Sequence, residues 1–294
     1  MQLEMTRYPL EGQIRTDFTG FRQLWRLYDT LKDVYDREVF LDFSELDWFD
    51  ANLAAVLCAL QYKLQTENRL TFVVDHQHIA GKFDVLHRNG CFQPNEERIQ
   101  DVRQSTVTST HFYADQHISY EQYVKNDLFE HRGLADLRNT NRNIATRIRT
   151  DLFEVFNNYK THAQTEAPFF VCGQYYPRDH RVVFTMVDLG VGFLPPIQTF
   201  SKGAITTSLE AIRWALKGNS TVVYEDETSG CGLSGILSFC KQHGGELQLV
   251  TGDTFWSTQL LTTAYEGYKS FSHPFFGTAI SITFNGLDNL PLLS

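Results

Sequence analysis

Between Thr140 and Ala163 the apolar residues Ile144, Ile148, Leu152, Val155, Phe156 and Tyr159 recur at the three- and four-residue spacing of one helical face. Pro168 closes that segment, and two strand-like runs follow, Phe169 to Tyr176 and Arg181 to Val187, joined by Pro177-Arg178-Asp179-His180. A helix with one apolar stripe must bury it, and a hairpin offers the surface. Two more helical patterns follow: one through Ile205, Leu209, Ile212 and Leu216 closed by Gly218, and one from Leu233 through Phe239 to His243-Gly244-Gly245. Strand-like runs at Glu246–Val250 and Thr278–Phe284 complete the region. The order predicts α/β architecture in which helices cover a mostly antiparallel sheet.

The N-terminal residues carry a different rhythm. Phe21, Leu24, Leu27, Tyr28 and Leu31 predict a helix over about 19–36, and Val39 to Phe43 reads as a short strand. Asp50-Ala51-Asn52 then starts the apolar helix LAAVLCALQYKLQ, Leu70 to Val74 gives a second strand, and a short helix over Ile79–Arg88 stops at Asn89-Gly90. Alternation of strand and helix predicts a small α/β layer with parallel strands. Residues 93–112 lose periodicity and read as a polar connector or surface loop. The predicted division is therefore 1–92 as an N-terminal α/β domain, 93–127 as connector and 128–294 as the larger domain.

Composition narrows the function. The 294 residues are 42% hydrophobic and 21% charged, which excludes wholesale disorder. Lys and Arg number 26 against 35 Asp and Glu, a net charge of −9, so no global basic field exists and nucleic acid is not expected as a partner. The longest apolar run, Leu53 to Leu60, is too short to span a bilayer, and MQLEMTRYPL lacks a basic-then-apolar leader. Five scattered cysteines without a CxxC pair fit a reduced, cytoplasmic protein better than a disulfide scaffold or zinc site.

Four features of the larger region carry chemistry. Glu154, Asn158 and His162 lie at i, i+4 and i+8 on one helical stripe; the carboxylate can act as general base and the carboxamide oxygen can ligate a hard cation. Taken alone, that stripe reads more readily as a solvated polar face. Asp188-Leu189-Gly190-Val191-Gly192 follows directly on a strand, where an aspartate can accept a hydrogen bond from an exocyclic amine and glycines admit close backbone approach. Gly230-Cys231-Gly232-Leu233-Ser234-Gly235 opens a helix, whose free N–H groups suit phosphate oxygens. Gly277-Thr278 begins the last strand and brings a hydroxyl to it.

In this order and spacing the four features resemble the ATP-binding fold of the gyrase, chaperone, histidine kinase and mismatch-repair (GHKL) superfamily, over about residues 128–286. AIRWALKGNST and FCKQHGGELQLVTG look like the related anti-sigma serine kinase and histidine kinase ATPase modules. The resemblance implies the two-layer Bergerat sandwich, ATP and Mg²⁺ as cofactors, Glu154 as the base and Asn158 as the Mg²⁺ ligand. It implies Asp188 as the adenine-reading acid, Gly190 and Gly192 as pocket floor, and Thr278 as its support. Gly230, Gly232, Leu233 and Gly235 become the hinge of a lid spanning 193–229. No paired helices with a phospho-accepting histidine precede this region, so an orthodox sensor kinase is not expected. Dimerisation is common in the superfamily, and a homodimer stays open here.

The run FLDFSEL, then DWFDAN and the apolar helix, resembles the STAS fold of sulfate transporters and anti-anti-sigma factors. Where that family often has a phosphorylated Ser or Thr, this chain has Ala51, so the resemblance implies docking or ligand sensing without a phospho-switch. Together these features lead to the expectation of an ATP/Mg-binding regulatory protein acting on a protein partner, STAS-type or otherwise, with slow hydrolysis and protein serine kinase activity both chemically open. The alternative is a non-catalytic scaffold with a degenerate ATPase fold.

Overall fold

A computed structural model describes residues 5–93, 99–130, 134–135, 137, 141–219, 232–262 and 265–285. The N-terminal part is built from β1 (Met5–Pro9), β2 (Gly12–Ile14), α1 (Phe18–Leu31), β3 (Glu38–Asp42), β4 (Leu46–Phe49), α2 (Ala54–Asn68), β5 (Thr71–Val74), α3 (His76–Lys82) and α4 (Asp84–Arg88). Its strands run parallel, as the alternation predicts: β1, β3 and β5 form one sheet in that order, and β2 pairs with β4. Asp17 caps α1 by accepting from the Gly20 N–H at 2.9 Å. The single helix expected over Ile79–Arg88 is instead two, divided at Phe83, which leaves helical angles (φ −119°, ψ 33°) to bury its ring against Phe43.

The C-terminal part contains β6 (Thr106–Phe112), α5 (His117–Tyr123), α6 (Arg142–His162), β7 (Phe169–Tyr176), β8 (Arg181–Asp188), α7 (Leu194–Phe200), α8 (Ser208–Leu216), α9 (Gly232–His243), β9 (Glu246–Thr262) and β10 (Tyr265–Phe284). The strands form one five-stranded antiparallel sheet in the order β6-β7-β8-β10-β9. Two expectations need correction. Residues 106–112, read as connector, are an edge strand; the Asp101 carboxylate anchors its start, accepting from the N–H groups of Ser105 and Thr106 at 2.8 Å each. The last two strands are far longer than their apolar cores, at 17 and 20 residues, because register shifts near Phe275 let the pairing continue through polar sequence.

Both faces of the sheet are covered. On one, α6 and α9 bury Ile148, Leu152, Val155, Phe156 and Ile236 against Val171, Phe184, Leu249 and Ile282. On the other, α1 and α2 share a core with Phe170, Cys172, Val187, Val250 and Ala279. A two-layer sandwich therefore gains a further layer from the N-terminal part. This accounts for the apolar composition of α2: Ala54, Ala55, Val56, Leu57, Ala59 and Leu60 are all buried, since neither side meets solvent.

A polar seam fixes the register of that contact. The Asn52 amide donates to Thr16 Oγ1 and Thr185 Oγ1, each at 2.9 Å, and Thr185 pairs with Ser281 at 2.8 Å. Gln174 Oε1 accepts from the Ala51 N–H at 3.0 Å. Farther along, Phe18, Trp25 and Tyr28 of α1 meet Phe255, Phe271, Phe275 and Phe276 of the β9–β10 hairpin with centroids 4.6–5.8 Å apart. Among the described residues no helix is long and apolar enough to cross a membrane.

Candidate functional site

Asp188 ends β8 at the sheet centre, directly opposite Thr278 on β10. Its Oδ1 accepts from the Gly190 N–H at 2.8 Å, and the Thr278 hydroxyl and backbone N–H also bond the carboxylate. Burial nevertheless dominates and pushes the Asp188 carboxyl up to about 6. The glycines around it are structural necessities. A Cβ at Gly190 would lie 2.6 Å from the Ala163 Cβ, and one at Gly192 (φ +75°) 2.6 Å from Thr251 Oγ1. That hydroxyl accepts from the Phe193 N–H at 3.1 Å, aiming the chain into α7.

A cleft of about 100 Å³ lies over Asp188. Met186, Ile280, Phe169 and Val155 give it an apolar base, and Asn158 and His162 of α6 form a polar side. Pro196, Ile197 and Trp214 close it from α7 and α8. Of the residues singled out in the sequence, Asn158, Asp188, Gly192, Gly232, Leu233 and Thr278 line this one cleft. Gly190 lies behind it, holding Asp188 and packed on Ala163.

Glu154 sits one turn before Asn158 and is half-buried. It packs beside Gly232, the first residue of α9: a Cβ there would come within 2.7 Å of the Glu154 Cβ and Cγ. Gly232 is thus what lets the start of α9 approach the helix carrying Glu154 and Asn158. Gly235 falls elsewhere. It lines a separate cavity of about 260 Å³ and faces Asp151, whose Cγ would lie 2.6 Å from a Cβ at that position. Gly230 lies outside the described residues.

Compared with known proteins, the chain matches no family model and no curated sequence.

The site holds side chains that the motifs did not point to. Trp214 is one; it packs on Phe200 with centroids 5.7 Å apart and faces the cleft from α8, where the sequence shows only an amphipathic helix. Tyr159 is another, its phenol donating to the Ala167 carbonyl at 2.8 Å and pushed up to about 12 by burial and the nearby Asp188. Burial also pulls the His162 imidazole below its usual range, so at neutral pH it offers a neutral ring to the cleft. Asn158 presents an oxygen of the kind Mg²⁺ accepts, and Mg²⁺ commonly keeps water and ligand phosphates for its remaining positions. Among the described residues no group of three or more His, Cys, Asp or Glu is placed to hold a metal ion.

Asp151 was not visible as a special residue. It is 4% exposed, its Oδ2 has no hydrogen-bond partner, and burial, with Glu154 adding to it and Arg147 opposing, pushes its carboxyl up to about 7. Because the folded state holds this proton more tightly than the unfolded chain, stability falls as pH rises from about 4 to about 7 and is level beyond. The melting temperature of Asp151→Asn relative to wild type is therefore expected to rise across that interval and then plateau. A difference that is constant from about pH 4 to pH 8 would remove the buried charge from the account.

Proposed function

We propose that the cleft binds Mg·ATP in the manner of a GHKL-type module, within a regulatory protein whose STAS-like N-terminal part serves for docking or sensing. The observation that carries this reading is Asp188: a carboxylate held by Gly190 and Thr278 beside the apolar base of the cleft. Such an acceptor suits the exocyclic amine of adenine, and the flat apolar surfaces of Met186 and Ile280 suit its ring. From there the cleft runs to Asn158 and to the start of α9, where an amide group and the positive end of a helix dipole suit Mg²⁺ and phosphate. Glu154, adjacent to that end, is the group for orienting a water or a partner's hydroxyl.

The base role and the binding role separate by mutation. Mg·ATP should raise the melting temperature of wild type and of Glu154→Ala alike, because Glu154 is not part of the adenine base. Phosphate release or label transfer should fall by about 10²-fold or more in the variant. Unchanged turnover in Glu154→Ala would assign the base to another residue, and no thermal shift in wild type would remove nucleotide binding. Radiolabelled γ-phosphate appearing on a STAS-type partner would indicate kinase activity, and free phosphate alone would indicate hydrolysis.

A further inference from the structure

Where the N-terminal part meets the sheet, two thiols that are distant in sequence come together. Cys58 lies on α2 and Cys91 follows the turn at Gly90 (φ +87°); their sulfurs are 3.4 Å apart, and both residues are half-buried. Neither is in a disulfide. The Ser109 hydroxyl on β6 lies 3.8 Å from the Cys58 sulfur. Asn89, fully buried, holds the backbone on the Cys91 side: its Oδ1 accepts from the Cys91 N–H at 2.9 Å, and its carbonyl accepts from the Ser109 N–H at 2.7 Å.

We propose that Cys58 and Cys91 are a redox-active pair that forms a reversible disulfide under a hydroperoxide oxidant. Disulfide bonding needs the sulfurs to close from 3.4 Å to about 2.05 Å, a shift within the reach of side-chain rotation. The two thiols are unequal, which sets their roles. Hydrogen bonding by the Cys91 thiol, with help from Ser109, favours the Cys58 thiolate, whereas Cys91 is pushed the other way by the same contact and by burial.

Cys58 thiolate attacks the peroxide, the O–O bond breaks, and hydroxide leaves to take up a proton as water. The Cys91 sulfur then attacks the Cys58 sulfenic acid, the S–O bond breaks, and a second water departs carrying the Cys91 proton. Two thiols are oxidised and one hydroperoxide is reduced. Cys172, fully buried, bonds instead to the Ala51 carbonyl at 3.2 Å, and burial pushes its thiol above the usual range; it is a bystander.

The test is peptide mapping of the full chain after hydrogen peroxide, with alkylation of the remaining thiols. The expected result is a Cys58–Cys91 linked peptide that dithiothreitol removes, and a melting temperature raised by about 5 °C in the oxidised form. Cys58→Ser and Cys91→Ser should each abolish the link, and Cys172→Ser should retain it. Persistence of both thiols in peroxide-treated wild type would overturn the proposal, and so would a link from either cysteine to Cys172. Because wild type alone can return these results, misfolding of a variant leaves the outcome readable. None of them depends on nucleotide.

Discussion

Asp188→Asn is expected to abolish the thermal stabilisation that Mg·ATP confers on wild type. The Asp188 Oδ1 is already committed to the Gly190 N–H, so a bound amine must use the remaining lone pairs of the carboxylate. In the asparagine variant Oδ1 keeps its bond to Gly190, and the second position becomes an NH₂ group. An amine on the ligand then meets a donor where it needs an acceptor, in a cleft that offers little water to compensate. Burying such a mismatch costs about 1–3 kcal/mol, and more where a charged acceptor is lost, so affinity should fall by about 10–100-fold or further. A ligand at about 100 times its dissociation constant stabilises the folded state by about 2.7 kcal/mol, and a 100-fold loss of affinity removes nearly all of it.

In the ligand-free protein at neutral pH the same substitution has two opposed effects: a donor from Thr278 loses its acceptor, and the cost of a buried charge is removed. The Asp188 carboxyl is raised to about 6, so its ionised form costs stability above the ordinary carboxylate range, and a neutral amide avoids that cost. Intact melting without ligand, combined with loss of the ligand shift, is the pattern that distinguishes binding from folding. An Asp188→Asn variant that still shows the full wild-type shift would exclude Asp188 as the adenine acceptor.

Gly277→Ala is expected to be the most damaging single methyl group in the cleft region. The residue has φ +69°, and a Cβ there would be driven into the Asp188 carbonyl oxygen, 2.7 Å from its carbon and 2.9 Å from the Gly190 nitrogen. The three nearest atoms are all backbone, where β10 meets the end of β8, so no side-chain rotation can make room. The left-handed conformation alone costs a non-glycine residue about 1–2 kcal/mol, and overpacking adds about 1–3 kcal/mol. The sum, about 3 kcal/mol, should lower the melting temperature by about 6 °C or more. Gly203 is the internal control: its φ is +82° but nothing lies within 4 Å of a Cβ, so Gly203→Ala should show the conformational cost alone. Equal losses at the two positions would exclude the clash at Gly277.

What the sequence reveals of this protein depends on distance along the chain. Asp188, Gly192 and Gly232 were readable because each stands at or beside the end of an element, whereas Thr278, at the start of an apolar run, lies well inside β10. Their convergence on one cleft follows from the antiparallel order β8-β10 and the docking of α9 on α6. Gly235 has the same local signal, but its place one turn into α9 turns it toward Asp151 and away from the cleft. Trp214 shows nothing in sequence beyond its helix, and its role depends on how that helix leans over the cleft. The strand at 106–112 was missed because an edge strand is half-solvated, so its polar threonines mask the alternation. The Cys58–Cys91 contact bridges two elements without any motif, and scattered cysteines looked unpaired until the fold joined them.

The aromatic contacts of α1 bear on the order in which this chain can become a protein. Phe18, Trp25 and Tyr28 find their partners in Phe255, Phe271, Phe275 and Phe276, near the opposite end of the sequence. The seam from Asn52 to Thr185 and on to Ser281 also joins distant parts of the chain. A chain emerging from the ribosome can lay α2 against β7 and β8 once these are made, but the aromatic residues of α1 lack their partners until β9 and β10 have been synthesised. Contacts of such long range slow the search for the native state and leave apolar surface open while it proceeds. The aromatic face of α1 should therefore stay uncovered, and open to proteases or chaperones, until synthesis is nearly complete.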